Sequence, residues 1–227
     1  MLSKQKRLFF DIETAANADA LAFMPSPEAP ANLKDPEKIA AAIEAKRLEQ
    51  IERAALDPDY GKILSIGFSY GGEVHVLLNR EVYYPPPDGL ASVNTVSEAD
   101  MLRVFWKELA LEAHGCCVGY NVLGFDLPYL LRRSFALGIR PHFPPNLARF
   151  RTEPVTDLMM ILYNWGSDRY KSLKLVAKLY GLPVVADDID GSMVASLDAD
   201  QIARYQISDV KLVMALHERM NGVYFNH

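Results

Sequence analysis

Asp11 and Glu13 stand one residue apart at the end of an apolar run, Arg7-Leu8-Phe9-Phe10-Asp11-Ile12-Glu13-Thr14. Leu8, Phe9, Phe10 and Ile12 read as a strand buried on both faces, and a strand's period of two sends both carboxylates out of one face. Two acids there repel each other and lose hydration, so either protons are retained or a divalent cation with oxygen ligands sits between them. The plain alternative is a strand end with two solvated acids. A third acid, Asp209, falls on the apolar stripe of the last helix, predicted from about Asp200 to Met220, beside Ile202, Leu212, Val213 and Leu216. An acid on such a stripe is expensive unless paired or bound. Tyr205 lies one turn earlier on the same face. Asp126 sits at the start of another helix, where the positive end of the helix dipole would by itself account for an acid.

These groups need elements to hold them. Lys62 to Ser69 and Glu73 to Leu78 read as two strands joined through Tyr70-Gly71-Gly72, a hairpin signal, and extend the sheet begun by the first strand. Cys116 to Asn121 reads as a short strand leading to the helix at Asp126, with Pro128 in its first turn. Between Ala15 and Tyr60 lie a Pro-rich loop and a helix capped by Asp35 with Pro36 at its first position, its thin apolar stripe formed by Ile39, Ile43, Leu48, Ile51 and Ala55. Ser97 caps a helix whose core face is Leu102, Phe105, Trp106 and Leu109, closed by Gly115. Pro85 to Gly89 and Pro141 to Pro145 read as loops, with a strand near Arg149 and helices at Thr156 to Trp165 and Ser172 to Tyr180. A hairpin demands antiparallel neighbours and strand-helix-strand units favour parallel ones, so the expected fold is an α/β layered domain with a mixed sheet.

The 227 residues are half hydrophobic, which fits one domain spanning 1–227. The apolar run before Asp11 is too short for a signal segment or membrane span, so a cytoplasmic protein with no membrane partner is expected. Cys116 and Cys117 are adjacent and unsuited to a mutual disulfide. A net charge of −5 argues against non-specific coating of long nucleic acid. Between Leu127 and Tyr180, however, nine bases (Arg132, Arg133, Arg140, Arg149, Arg151, Arg169, Lys171, Lys174, Lys178) face three acids (Glu153, Asp157, Asp168). Such a segment is either a solvated face or a phosphate-binding one.

Three stretches carry a family resemblance: Phe10-Asp11-Ile12-Glu13-Thr14, then Gly119-Tyr120-Asn121-Val122-Leu123-Gly124-Phe125-Asp126-Leu127-Pro128-Tyr129-Leu130, then Tyr205-Gln206-Ile207-Ser208-Asp209. Together they resemble the three motifs of the DEDDy 3′–5′ exonucleases, with the closest likeness to the proofreading domain of family-B DNA polymerases and its stand-alone relatives. Asp157-Leu158 and Lys171 to Ala177 also resemble segments between the second and third motifs. The resemblance implies a ribonuclease-H-like fold, here with a helical insertion at 15–60. It implies that Asp11, Glu13, Asp126 and Asp209 hold two divalent ions, Mg²⁺ or Mn²⁺, with Asp11 shared, and that Tyr205 orients the attacking water beside Glu13. Hard cations of this kind prefer carboxylate oxygens, and a pair can stabilise both the attacking and the leaving oxygen of a phosphodiester. Ile12 and Thr14 would lie along the terminal nucleotide and Asn121 and Phe125 along the next, although as plain residues they also read as core and turn positions. Arg169, Lys171 and Lys174 are candidates for the path of the substrate backbone.

Two departures stand out. Gly124 occupies a place where polymerase relatives often carry Asn, and Arg204 stands where the His-containing branch would place its histidine, which favours the Tyr branch. The expected partner is a single-stranded nucleic acid 3′ end, DNA before RNA, with the chain acting alone or beside a polymerase or repair partner in trans. An exoribonuclease of the same chemistry and a silent nucleic-acid-binding module remain alternatives, since no residue here is assigned to sense a 2′-hydroxyl.

Overall fold

The computed structural model describes residues 6–80, 91–183 and 196–225. Strand β1 (Leu8–Ala16) runs through the interior of a six-stranded sheet, with α1 (Ala18–Leu21) and α2 (Pro36–Ala54) following it. Asp35 caps α2 by accepting the Glu37 N–H at 3.0 Å, with Pro36 at its first turn. Strands β2 (Gly61–Ser69) and β3 (Val74–Leu78) form the expected antiparallel hairpin beside β1. An edge strand, β4 (Ala91–Thr95), pairs parallel with β3. Helix α3 (Glu98–Lys107) continues into a π-helical turn at Glu108–Glu112 and leads to β5 (Cys117–Gly119), parallel to β1 on its other edge. Then come α4 (Asp126–Ala136), β6 (Val155–Asp157), α5 (Leu158–Leu162), α6 (Leu173–Tyr180) and α7 (Ala199–Met220). The sheet order is β4-β3-β2-β1-β5-β6, a mixed α/β sheet flanked by helices.

The alternation in β1 decides what each face of the sheet becomes. Leu8, Phe10 and Ile12 pack with Met101, Leu102 and Phe105 of α3 and Leu127 and Tyr129 of α4. The opposite face meets α7, where Ala15, Leu64 and Val76 pack against Ile202, Tyr205 and Val210, while Val118 and Leu158 pack against Val213 and Leu216. From Tyr205 to Val210 every residue of α7 is buried, so this stretch is wrapped by protein and is not merely one apolar stripe. Contact is close because Gly67 of β2 has no side chain: a Cβ there would lie 2.6 Å from Gln206 Cγ and 2.9 Å from Val210 Cγ2.

Three sequence expectations need correction. Residues near Arg149 form a turn, and the strand of this region is β6. The helix expected over Thr156 to Trp165 begins only at Leu158, because Val155, Thr156 and Asp157 pair with Cys117, Val118 and Gly119, and the Asp157 carboxylate then caps α5. Leu48 is exposed and does not belong to the packed side of α2, whose fully buried residue is Ala54. The Pro85 to Gly89 loop lies outside the described residues.

Overpacking a filled contact typically costs about 1–3 kcal/mol. Gly67→Ala is therefore expected to lower the thermal midpoint by several degrees, whereas the same change at exposed Gly72, where a Cβ meets nothing within 4 Å, leaves it unchanged. Thermal unfolding of both variants checks this.

Candidate active site

β1 presents Asp11 and Glu13 to α7, and α7 presents Asp209; one carboxylate oxygen from each lies within 4.8 Å of the others. The register of β1 against β2 shifts between Glu13 and Thr14, so pairing becomes irregular immediately after the second acid. Asp126 is not part of that close set. Parallel pairing of β1 with β5 involves Leu8 and Phe9, and the chain leaves β5 after Gly119. Asp126 Oδ1 then accepts the Ile12 N–H at 3.2 Å, which ties the first turn of α4 to the backbone between the other two acids.

Burial raises the pKa of Asp11 well above its ordinary value, and the charges of Asp126, Glu13 and Asp209 push the same way, against a hydrogen bond from Gln206. Glu13 is raised by burial and by Asp209 and Asp126, with Lys174 opposing. Burial lifts Asp126 to about 7 and Asp209 to about 6, the latter held down by the Tyr205 hydroxyl and by Lys174. The Tyr205 phenol is itself raised by burial and by the surrounding carboxylates, so it stays protonated and acts as a donor. Asp209 Oδ1 is buried with no hydrogen-bond partner among the described residues. An orphaned carboxylate oxygen within an all-oxygen cluster is the donor set a hard divalent cation satisfies, so the residues fit such an ion.

Two supporting devices escaped the sequence reading. Gln206, fully buried, donates from Nε2 to Asp11 Oδ2 at 2.7 Å and accepts the Ser65 hydroxyl on Oε1 at 2.6 Å. This relay fixes one oxygen of Asp11 and leaves the other free of that bond. Asp157, also fully buried, accepts the N–H groups of Asn121 (3.0 Å) and Leu123 (2.9 Å) as well as those of Met159 and Met160 (3.1 Å each). One carboxylate thus clamps the loop before Asp126 to the start of α5. A polar residue adjoining Tyr205 in a buried helix was the available signal for Gln206; nothing local identified Ser65.

The other candidates are dispersed around this centre. The Ile12 side chain is in the core beneath the sheet, and Thr14 lies half-buried with its hydroxyl against that of Tyr129. Asn121 adopts φ +65° and its side chain fills the space above Gly124, where a Cβ would come within 2.4 Å of Asn121 Oδ1. That packing is the physical correlate of glycine at this departure from the family pattern. The Phe125 ring sits 5.4 Å from that of Tyr129. Lys174 Nζ lies 4.7 Å above the Tyr205 ring, beside the acids, and Lys171 Nζ lies 4.9 Å above Tyr163, while Arg169 is exposed. Two bases of the positive segment are occupied elsewhere: Arg132 pairs with Asp59, and Arg133 makes a bidentate contact with Glu98 at 2.8 and 3.0 Å.

Residues 89–221 match the model of a family described as a predicted 3′–5′ exonuclease related to the exonuclease domain of PolB. The chain belongs to that family. The matched span contains Asp126, Tyr205 and Asp209, whereas Asp11 and Glu13 precede it and reach the same place through β1. The chain is also 28% identical over 156 residues to the uncharacterized protein MJ0365 of Methanocaldococcus jannaschii, covering 67% of this chain and 76% of the relative. The mixed sheet and its helices are the ribonuclease-H-like arrangement of such exonucleases, and no helix among the described residues is long and apolar enough to cross a membrane.

A carboxyl with a raised folded pKa favours the protonated native state: its stabilising effect is complete below the unfolded value near 3.8 and is lost as pH climbs through about 6 for Asp209 and 7 for Asp126. The chelated protein is expected to melt progressively lower from about pH 4 to pH 7. Added Mg²⁺ or Mn²⁺ should raise the midpoint more at pH 7.5 than at pH 5, because binding competes with protons. Midpoints that are flat with pH in chelator would contradict the buried cluster.

Proposed function

We propose that this chain is a divalent-metal-dependent 3′–5′ exonuclease that hydrolyses the terminal phosphodiester of single-stranded nucleic acid, DNA in preference to RNA. The observation that carries the reading is the convergence of Asp11 and Glu13 from β1 with Asp209 and Tyr205 from α7, since it joins two acids outside the family match to the tyrosine and acid within it. The relation to the PolB exonuclease domain supports DNA as the favoured substrate.

In this reading Asp11, Glu13, Asp126 and Asp209 would hold two ions, Mg²⁺ or Mn²⁺. When bound, such a pair supplies a nucleophile at neutral pH and charge neutralisation on both sides of an in-line displacement. The remaining work belongs to the protein. Tyr205, neutral and one turn of helix before Asp209, would turn the O–H it gives Asp209 in this structure to the attacking water beside Glu13 and set its line of approach. Gln206 holds Asp11 in one rotamer through the Ser65 bond. Asp157 holds the loop from which Asn121 and Phe125 meet the penultimate nucleotide, and Thr14 of β1 flanks the terminal one, while the Ile12 side chain, buried in the core, supports the strand from beneath. Lys174 balances the acids over the Tyr205 ring and offers positive charge to the incoming phosphate. Arg169 and Lys171 continue that charge along the substrate backbone.

End-labelled single-stranded DNA and RNA incubated with Mg²⁺ or Mn²⁺ test polarity and sugar preference together; full activity after exhaustive chelation, or release from the 5′ end, would reject the proposal. Tyr205→Phe is expected to reduce turnover on the order of 10²-fold while sparing metal affinity, because it deletes a donor and not a ligand. Asp209→Ala should lose metal affinity together with turnover. A Phe variant with wild-type turnover would remove the water-positioning role, and one with lost metal affinity would make the hydroxyl a ligand.

A further inference from the structure

Away from the acid cluster, two loops converge to display a pair of aromatic rings. Phe150, in the turn before β6, is 72% exposed, and its ring centroid lies 5.3 Å from that of half-buried Trp165 at an interplanar angle of 48°. Leaving a ring of this size in water forfeits the burial that ordinarily stabilises an aromatic. Both residues also adopt left-handed backbone, φ +62° at Phe150 and +56° at Trp165, and Asn164 beside Trp165 is at +46°. Such geometry is strained for bulky side chains and persists where the surrounding structure enforces it, often at ligand sites. Positive charge accompanies the pair: the Arg149 guanidinium lies 5.6 Å from the Phe150 ring centroid, and Arg151 and Arg169, both exposed, follow Phe150 and Trp165 along the chain by one and four residues without an acidic partner among the described residues.

The pair is linked to the candidate active site through the chain that follows it. Two residues before Trp165, the Tyr163 ring carries the Lys171 ammonium, and the Lys171 carbonyl accepts the hydroxyl of Tyr120, the neighbour of Asn121. Three residues further on, Lys174 covers Tyr205. We infer that Phe150 and Trp165 form a stacking platform for bases of a single-stranded nucleic acid upstream of its 3′ end, with Arg149, Arg151 and Arg169 drawing in its phosphates. Exposed aromatic faces beside cations are the combination that holds single strands with little sequence preference, since every base has a π-face and every linkage a charge. The inference rests on the exonuclease reading for the direction of the strand.

The chain reports on this platform itself. Its two tryptophans are Trp106, 2% exposed within the core, and Trp165, so quenching of emission by an added oligonucleotide reads Trp165. The full chain is titrated with oligothymidylate and oligouridylate carrying hydrolysis-resistant phosphorothioate linkages, from dinucleotides to about twelve nucleotides, a range that reaches single-strand site sizes of roughly 4–16. Quenching is expected with the longer strands and not with dinucleotides, and Trp165→Phe should abolish it. Phe150→Ala should weaken binding of the longer strands about ten-fold while leaving turnover of an unmodified dinucleotide unchanged. Phe150→Leu, which keeps apolar bulk without a ring, should show the same loss at an unaltered melting temperature. Wild-type affinity in Phe150→Leu at every length would overturn the platform, and a loss shared equally by dinucleotides would mark a structural role and overturn it as well. Hydrolysis of unmodified strands without length-dependent quenching overturns the platform and spares the exonuclease reading; quenching without hydrolysis of any unmodified strand does the reverse.

Discussion

Mutual repulsion among buried carboxylates is the constraint to which the rest of the molecule answers. With the Asp11, Glu13 and Asp209 oxygens all within 4.8 Å of one another, a pair of full charges at that outer limit in an effective dielectric near 20 costs roughly 3.5 kcal/mol, and each group has also lost hydration. The protein offsets part of this cost with neutral donors: Gln206 on Asp11, the Ile12 N–H on Asp126 and the Tyr205 hydroxyl at Asp209. Lys174 supplies opposing positive charge to both Glu13 and Asp209. These contacts leave all four carboxyls with raised pKa values, so the acid cluster stays under-compensated. A site that satisfied its acids internally would have little affinity left for a cation.

Holding unsatisfied acids in place requires a rigid frame, and the frame is built from contacts that carry no chemistry of their own. The Arg133 and Glu98 pair, nearly buried, joins α4 to α3, and Glu98 also accepts the Ile63 N–H of β2 at 2.9 Å. Breaking one partner of such a pair strands a buried charge, so its value lies in fixing α4, and with it Asp126. Asp157 does the same for the preceding loop through four backbone N–H groups. Two acids in this chain thus work only as structural acceptors, and composition cannot distinguish them from the acids of the cluster.

That difference explains what was legible in the sequence. Local signals located β1, the hairpin, the Asp35 and Ser97 caps and the long final helix, because hydrophobic period and capping chemistry are short-range. Asp11 and Glu13 stood out as charges ending an apolar strand, and Asp209 as a charge on an apolar stripe. The relay from Ser65 through Gln206 to Asp11 was not legible, since it joins positions 141 and 195 residues apart and depends on the absence of a side chain at Gly67. The helix expected at Thr156 failed for a similar reason: parallel pairing with β5 overrides local helical preference for three residues. Grouping nine bases by sequence also overstated the positive face, because Arg132 and Arg133 turn away to pair with acids from distant segments.

The residues that place the acids are, in the end, the apolar ones between them. Leu8, Phe10 and Ile12 are 0%, 0% and 5% exposed on the α3 and α4 side of the sheet. A one-residue slip of β1 would carry all three to the α7 side and drive Asp11 and Glu13 into the hydrophobic core. Loss of burial for three large side chains, at about 1.5–3 kcal/mol each, would add to the cost of two unpaired charges in an apolar layer, which exceeds any plausible gain from separating the acids. Register is therefore enforced by the face of β1 that carries no candidate catalytic group. The interruption of regular pairing between Glu13 and Thr14 leaves that alternation intact, because the extra residue, Leu64, belongs to β2: β1 passes directly from Glu13 to Thr14, and Ala15 returns to the α7 side beside Leu64.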